Sequence, residues 1–155
     1  MSKTAFYDSL LLQLQALIEG ESDLTANLAN TSALLNLALE DLNWVGFYLL
    51  KSPNELVLGP FQGKPACLRI PVGKGVCGTA VASGQTQRVA DVHAFAGHIA
   101  CDGASNSEIV LPIFAQGRVV AVLDIDSPSL DRFDAEDQAG LERVATALEK
   151  LCWNG

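Results

Sequence analysis

Three cysteines, Cys67, Cys77 and Cys101, lie in the middle of the chain among glycines, acids and two histidines. The sequence has no secretory features, so these thiols are expected to stay reduced, and a cluster of them calls for a chemical explanation. They could act in thiol redox chemistry, bind a metal together with His93 and His98, or fill a core as small apolar residues. The closely spaced cysteine pairs of common zinc sites are missing, which disfavours the metal.

Three acids accompany the cysteines. Asp124 and Asp126 are two positions apart on a predicted strand, so their side chains share a face, and a neighbouring antiparallel strand could bring Glu108 alongside. Crowded carboxyl groups raise at least one pKa, which keeps a proton available, and a remaining anion can hold an ammonium group. A solvated strand end and a divalent metal site stay open as alternatives.

A predicted loop, residues 91–106, carries both histidines and Cys101. Loops of this length without regular structure are uncommon in compact domains and often functional. Cys101 could be exposed and activated there, or it could simply help the loop pack. On the first predicted strand, Trp44 and Tyr48 are four positions apart and point to one face, as a binding wall or as core.

Hydrophobic periodicity and turn residues predict the elements that must position these side chains. We expect an α+β fold with a central, mainly antiparallel sheet and the N- and C-terminal helices packed on one face. One domain should span residues 1–155. It divides into two helices within 1–40, the sheet and loop within 43–126, and a final helix over 134–152. The predicted elements are helices at 3–18 and 23–39, strands at 44–50, 55–58, 68–72, 86–90, 108–114 and 119–125, and the final helix. A glycine-rich turn, Gly73–Ala80, is predicted to lead into one more short helix that ends at about Ser83.

Composition excludes several classes of partner. The chain has 155 residues and a formal charge of -8, which disfavours binding to nucleic acid and to anionic membranes. Its first apolar stretch is interrupted by Gln13 and Gln15 and is too short to span a bilayer. We therefore expect a cytoplasmic protein, and nothing in the sequence calls for a cofactor.

Several short sequence motifs, which follow one another along most of the chain, resemble those of the free methionine-(R)-sulfoxide reductase family, which is built on a GAF domain. They are Leu42–Tyr48, Gly59–Gly63, Gly73–Ala80, His98–Asp102, Ser107–Pro112 and Leu123–Ser127. The three cysteines together with Glu108, Asp124 and Asp126 distinguish this family from sensory GAF domains.

The resemblance implies a role for each cysteine. Cys101 matches the catalytic nucleophile, Cys67 the cysteine that forms a disulfide with it, and Cys77 a third thiol that could resolve instead. Cys152 lies outside the pattern and is predicted to be a filler on an apolar helix face. Sulfoxide reduction requires these groups, because a thiolate attacks the sulfur and the resulting sulfenic acid condenses with a second thiol.

The resemblance also implies roles for the other residues of the site. Glu108 and Asp126 would take part in proton transfer and, with Asp124, bind the substrate's ammonium group, while Trp44 and Tyr48 would enclose its methyl group. The expected substrate is free methionine-(R)-sulfoxide, the expected reductant is thioredoxin, and a homodimer is expected. The alternative is a GAF module that senses a small ligand without catalysis, because a fold does not settle a function.

Overall fold

The computed structural model describes residues 1–98 and 103–153. In chain order the elements are α1 (Lys3–Ile18), α2 (Leu24–Ala38), β1 (Trp44–Ser52), β2 (Glu55–Gly63), β3 (Arg69–Pro71), α3 (Gly75–Ser83), β4 (Gln87–Val89), a 3₁₀ turn (Val92–Ala94), β5 (Ser107–Ala115), β6 (Arg118–Ser127) and α4 (Ala135–Cys152). No helix of this described part is both long and apolar enough to cross a bilayer.

The six strands form one sheet in the order β3-β2-β1-β6-β5-β4, and each strand is antiparallel to its neighbours. Helices α1, α2 and α4 pack together over one face of this sheet, and the short helix α3 packs on the opposite face. The predicted α+β fold, with its terminal helices on one face, is confirmed.

Two predictions of local structure were wrong. Strand β2 continues to Gly63, although Gly59 and Pro60 suggested that it would end at Leu58. It continues because an irregularity in the β1–β2 pairing next to Gly46 absorbs the change of register, and Trp44 then pairs with Gly63. The loop 91–106 also contains regular structure, a 3₁₀ turn whose first residues are capped by the Asp91 side chain.

A buried carboxylate joins the first and last helices. Asp137 begins α4 in a capping box with Asp134, and its Oδ1 accepts a hydrogen bond of 2.8 Å from Tyr7 Oη of α1. Its Oδ2 lies 2.8 Å from Lys3 Nζ and 3.5 Å from the Arg132 guanidinium. Lys3 also pairs with Asp134, and their hydrogen bond is the main reason that the pKa of Asp134 is lowered to about 2. The N-terminal ends of α1 and α4 are thus fixed to each other on the helical face.

The helical face carries a large, mainly apolar core. Sheet residues such as Phe47, Leu111 and Leu123 are fully buried there against Leu14 and Leu148 of the helices. Burial of a large aliphatic side chain contributes roughly 1.5–3 kcal/mol, so this layer supplies most of the stability of the domain. The opposite face, under α3, is therefore free to carry polar groups.

Close packing of Tyr7 on α4 generates a prediction about stability. An added Cβ at Gly140 would lie 2.2 Å from Cγ of Tyr7, at the base of a ring that the Asp137 bond holds in place. Gly140→Ala should therefore destabilise the protein by about 1–3 kcal/mol, despite the roughly 1 kcal/mol that alanine adds to a helix. Urea denaturation measures the difference.

Gly103→Ala is the matched control, because no atom of the described residues, apart from its chain neighbours, lies within 4 Å of its added Cβ. A Gly140→Ala variant as stable as the parent would contradict the packing described here.

Candidate active site

A cavity of about 50 Å³ lies between the sheet and α3, on the face opposite the main core. Its aromatic wall comes from β1, its acidic floor from β5 and β6, and its remaining wall from the β2–β3 connection and α3. The lining residues are Trp44, Tyr48, Pro65, Ala66, Ile70, Lys74, Gly75, Val76, Cys77, His98, Ser105, Glu108, Asp124 and Asp126.

The acidic floor is built by strand register. Glu108 of β5 pairs directly with Asp126 of β6, and Asp124 follows two residues earlier on the same face of β6. Trp44 of β1 pairs with Asp126 from the other side. The predicted juxtaposition of the three acids is therefore present, because residues directly opposite each other on antiparallel strands share a face.

Helix α3 brings Cys77 onto this floor. The helix approaches the preceding turn so closely that an added Cβ at Gly78 would lie 2.5 Å from the carbonyl oxygen of Pro71. Ligand atoms of Cys77, Glu108 and Asp124 all lie within 4.8 Å of one another. Their exposed fractions are 4%, 7% and 5%, so a thiol and two carboxyl groups share one nearly dry site.

Burial perturbs the acids of the floor. It raises the pKa of Glu108 well above its usual range, and the neighbouring carboxylates of Asp124 and Asp126 add to the effect. Burial likewise raises the pKa of Asp124, although hydrogen bonds from Glu108 and Cys77 oppose the rise. Crowding alone was the cause predicted from the sequence, but burial is the larger one. These carboxyl groups consequently retain a proton to a higher pH than exposed carboxyl groups do.

The same surroundings keep Cys77 protonated. Burial raises the pKa of its thiol well above the usual value, and the charges of Asp124 and Glu108 raise it further. Because the thiolate is the reactive form of cysteine, Cys77 is poorly suited to be the attacking nucleophile.

Two aromatic side chains form the wall, as the spacing of Trp44 and Tyr48 predicted. Their rings stack with centroids 5.9 Å apart, and Phe61 stacks on the other side of Trp44 at 5.2 Å. Both wall residues are almost completely buried.

This wall has a second property that no sequence pattern indicated. Tyr48 Oη donates a hydrogen bond of 2.9 Å to the backbone carbonyl of Cys67, and Trp44 Nε1 donates one of 3.1 Å to the carbonyl of Lys64. The two side chains thus hold the β2–β3 connection, residues 64–68, against the cavity. No local pattern signals these contacts, because their partners are backbone atoms 19 and 20 positions away.

The described cysteines differ in whether they form a disulfide. Cys67 is half-buried and disulfide-bonded, whereas Cys77 and Cys152 are free. Cys152 packs at the edge of the helical core, as expected of a filler. The predicted nucleophile, Cys101, lies outside the described residues, as does Asp102.

The predicted zinc ligands do not converge within the described part of the chain. The rings of His93 and His98 lie edge to face with centroids 6.1 Å apart, and Cys67 is committed to a disulfide. Of the described residues, the group with at least three ligand atoms within reach of one ion is Cys77, Glu108 and Asp124. The cysteine–histidine set considered from the sequence is thus replaced by a mixed thiol–carboxyl set.

Three further residues reach the cavity: Lys74 and Ser105 were not singled out from the sequence, and His98 was considered there only as a zinc ligand. Lys74, in the glycine-rich turn before α3, could be found only from its position in that turn. His98 and Ser105 line the cavity from the loop, and Ser105 accepts a hydrogen bond of 3.0 Å from Nδ2 of Asn43. Partial burial and the nearby His93 lower the pKa of His98.

Comparison with known proteins shows a GAF domain and close similarity to a group of reductases. The GAF domain family model matches residues 31–150. The free methionine-R-sulfoxide reductase of Escherichia coli is 59% identical over 151 residues, which cover 97% of this chain and 91% of that protein. The fRMsr of Staphylococcus aureus, solved in complex with its substrate, is 57% identical with a TM-score of 0.89, and the match covers 94% of each chain.

A third comparison agrees. The free methionine-R-sulfoxide reductase of Neisseria meningitidis, also solved with its substrate, is 50% identical with a TM-score of 0.92 and covers 97% of this chain and 90% of that one. The chain therefore belongs to the free methionine-(R)-sulfoxide reductase family of GAF-domain proteins.

The raised pKa of Glu108 predicts how stability depends on pH. Below the usual carboxyl pKa, near 4.5, both the folded and unfolded states are protonated. As the pH rises toward the raised folded value, the unfolded state ionises first, so the free energy of unfolding falls by up to about 1.4 kcal/mol per pH unit. Glu108→Gln should reduce this loss and be more stable than the parent at pH 7, with little difference near pH 4.

Urea denaturation between pH 4 and pH 8 measures this, with Glu19→Gln, an exposed carboxyl group, as the control. Parallel profiles for Glu108→Gln and the parent would contradict the buried, proton-holding floor.

Proposed function

We propose that this protein reduces free L-methionine (R)-S-oxide to L-methionine by thiol chemistry. One observation carries the proposal: a disulfide-bonded cysteine, Cys67, directly follows two residues that line a cavity with an acidic floor, Pro65 and Ala66. A redox-active sulfur beside a proton-holding site is what sulfoxide reduction requires. Similarity to reductases at 59% and 57% identity supports the same activity.

The floor and wall account for the choice of substrate. Glu108, Asp124 and Asp126 place negative charge where the substrate's ammonium group would bind, and Trp44 and Tyr48 offer an apolar surface to its S-methyl group. A methionine sulfoxide residue within a peptide has an uncharged amide in place of that ammonium group. Such a peptide would give the buried carboxylates no cationic group to bind. The loss of binding free energy would then exceed that of the missing contact alone, because the carboxylates stay desolvated.

We assign the attack to Cys101. Its thiolate adds to the sulfoxide sulfur while a carboxyl group of the floor, Glu108 or Asp126, gives its proton to the sulfoxide oxygen. Methionine then leaves and the oxygen stays on Cys101 as a sulfenic acid. Condensation with the thiol of Cys67 releases water and forms a disulfide, so two electrons pass from the two thiols to the substrate.

Two features support these roles. Cys67 forms a disulfide whereas Cys77 and Cys152 are free, and the Cys77 thiol is buried and protonated. Cys77 therefore serves as an alternative resolving thiol that acts only after it becomes accessible.

The remaining partners complete the proposal. Thioredoxin, a dithiol, would restore the thiols by exchange at Cys67, which is half-buried and adjoins the exposed side chain of Leu68. A cytoplasmic location provides that reductant. A homodimer also remains a proposal, and sedimentation velocity tests it.

A non-catalytic GAF sensor of nucleotides is the alternative. The acidic floor argues against it, because the negative charge of carboxyl groups at Glu108, Asp124 and Asp126 repels a phosphate group.

The activity is tested by following NADPH oxidation in the presence of thioredoxin and thioredoxin reductase. Free methionine-(R)-sulfoxide should be turned over, and the N-acetylated compound should react at least about 100-fold more slowly. Cys101→Ser should abolish turnover because it removes the attacking sulfur, whereas Cys152→Ser should retain it. Absence of turnover with the free compound, or full activity of Cys101→Ser, would refute the proposal.

The hydrogen bond from Tyr48 to Cys67 predicts a specific kinetic defect. Without it, residues 64–68 are held less tightly and the resolving thiol is less well placed, so Tyr48→Phe should slow disulfide formation by about 10-fold. The sulfenic acid should then accumulate in a single turnover, and trapping with dimedone followed by mass spectrometry measures it.

Tyr7→Phe is the matched control, since it deletes a comparable hydroxyl on the opposite face of the sheet. It should lower stability without increasing trapped sulfenic acid. Equal trapping in Tyr48→Phe and the parent would show that Tyr48 does not position Cys67.

A further inference from the structure

The floor of the cavity combines ligand types that bind a metal ion. Cys77 Sγ and carboxylate oxygens of Glu108 and Asp124 lie within 4.8 Å of one another. In a tetrahedral zinc site, ligand atoms are about 3.3–3.6 Å apart, given zinc–sulfur and zinc–oxygen distances of about 2.3 and 2.1 Å. Side-chain rotations that move these atoms by about 1 Å would bring all three onto one ion.

A second observation points to a cation at this place. Oδ1 of Asp124 has no hydrogen-bond partner within the described part of the chain, although this side chain is 5% exposed and lines the cavity. A buried carboxylate oxygen without a donor is costly, and it normally has a hydrogen-bond or metal partner.

The protein offers little positive charge of its own to this floor. Among the described ion pairs, none includes Glu108 or Asp124, and the lysine that lines the cavity, Lys74, is exposed. With one thiolate and two carboxylates, a divalent cation would leave a net charge of -1 on the group. The sulfur ligand selects a thiophilic ion, zinc, over magnesium or calcium.

We propose that the cavity floor is a binding site for Zn²⁺, with Cys77, Glu108 and Asp124 as its protein ligands. Binding releases the thiol proton of Cys77 and any carboxyl proton to solvent, so affinity rises with pH. The fourth position faces the cavity and takes water. If the function proposed above is right, the ion occupies the place of the substrate's ammonium group, and zinc and methionine sulfoxide exclude each other.

The test uses the disulfide form of the whole protein, in which Cys67 cannot ligate a metal and Cys77 and Cys152 are the described free thiols. Co²⁺ is the spectroscopic probe, because a sulfur-to-cobalt charge-transfer band reports a thiolate ligand. Zn²⁺ affinity is measured by competition with a chromogenic chelator. Neither readout depends on catalytic turnover.

The parent should show the charge-transfer band, and Cys77→Ser should lose it while its zinc affinity falls at least 10-fold. Cys152→Ser, the matched thiol, should keep both. Asp124→Asn should weaken zinc at least 10-fold while circular dichroism remains that of the folded parent, which covers the case in which Cys77→Ser fails to fold.

A parent without the band, a band that survives Cys77→Ser, or a band lost in Cys152→Ser would overturn the site. Addition of saturating free methionine-(R)-sulfoxide should remove the cobalt band. A band that persists while the cysteine variants behave as expected would overturn the overlap with substrate and leave the metal site standing.

Discussion

The site depends on one costly arrangement, in which two buried carboxyl groups and a buried thiol lie close together and form no ion pair with a basic side chain in the described part of the chain. Glu108, Asp124 and Cys77 are each less than a tenth exposed, and their ligand atoms lie within 4.8 Å of one another. Water cannot screen them, so they retain protons or attract a cation. The proposed proton donation, the proposed recognition of an ammonium group and the proposed affinity for zinc all rest on this single property.

The rest of the fold offsets that cost. The described strands belong to one sheet, but its two faces differ: one packs against α1, α2 and α4 through mainly apolar residues, and the other carries Glu108, Asp124 and Asp126. The buried Asp137, unlike Glu108, is surrounded by Tyr7, Lys3 and Arg132, so it stabilises the protein. Stability and chemistry are thereby assigned to opposite faces of one sheet, and a destabilising site is tolerated.

Local rules were sufficient for much of the fold. Hydrophobic periodicity and turn residues located the helices, and strand alternation placed Asp124 and Asp126 on one face. The same rules failed at β2, where Gly59 and Pro60 are strand-breaking residues in isolation. Pairing with β1 overrides that preference, because an irregular register next to Gly46 accommodates the chain.

Sequence patterns were enough to identify the reactive groups, most of the helices and strands that carry them, and the family to which the chain belongs. That Cys77 shares a dry site with Glu108 and Asp124, and that Tyr48 holds the backbone of Cys67, emerged only from the folded chain. The reason is physical: a pKa or a tether depends on burial and on atoms distant along the chain. Periodicity describes which face a residue occupies, whereas only packing determines what that face meets.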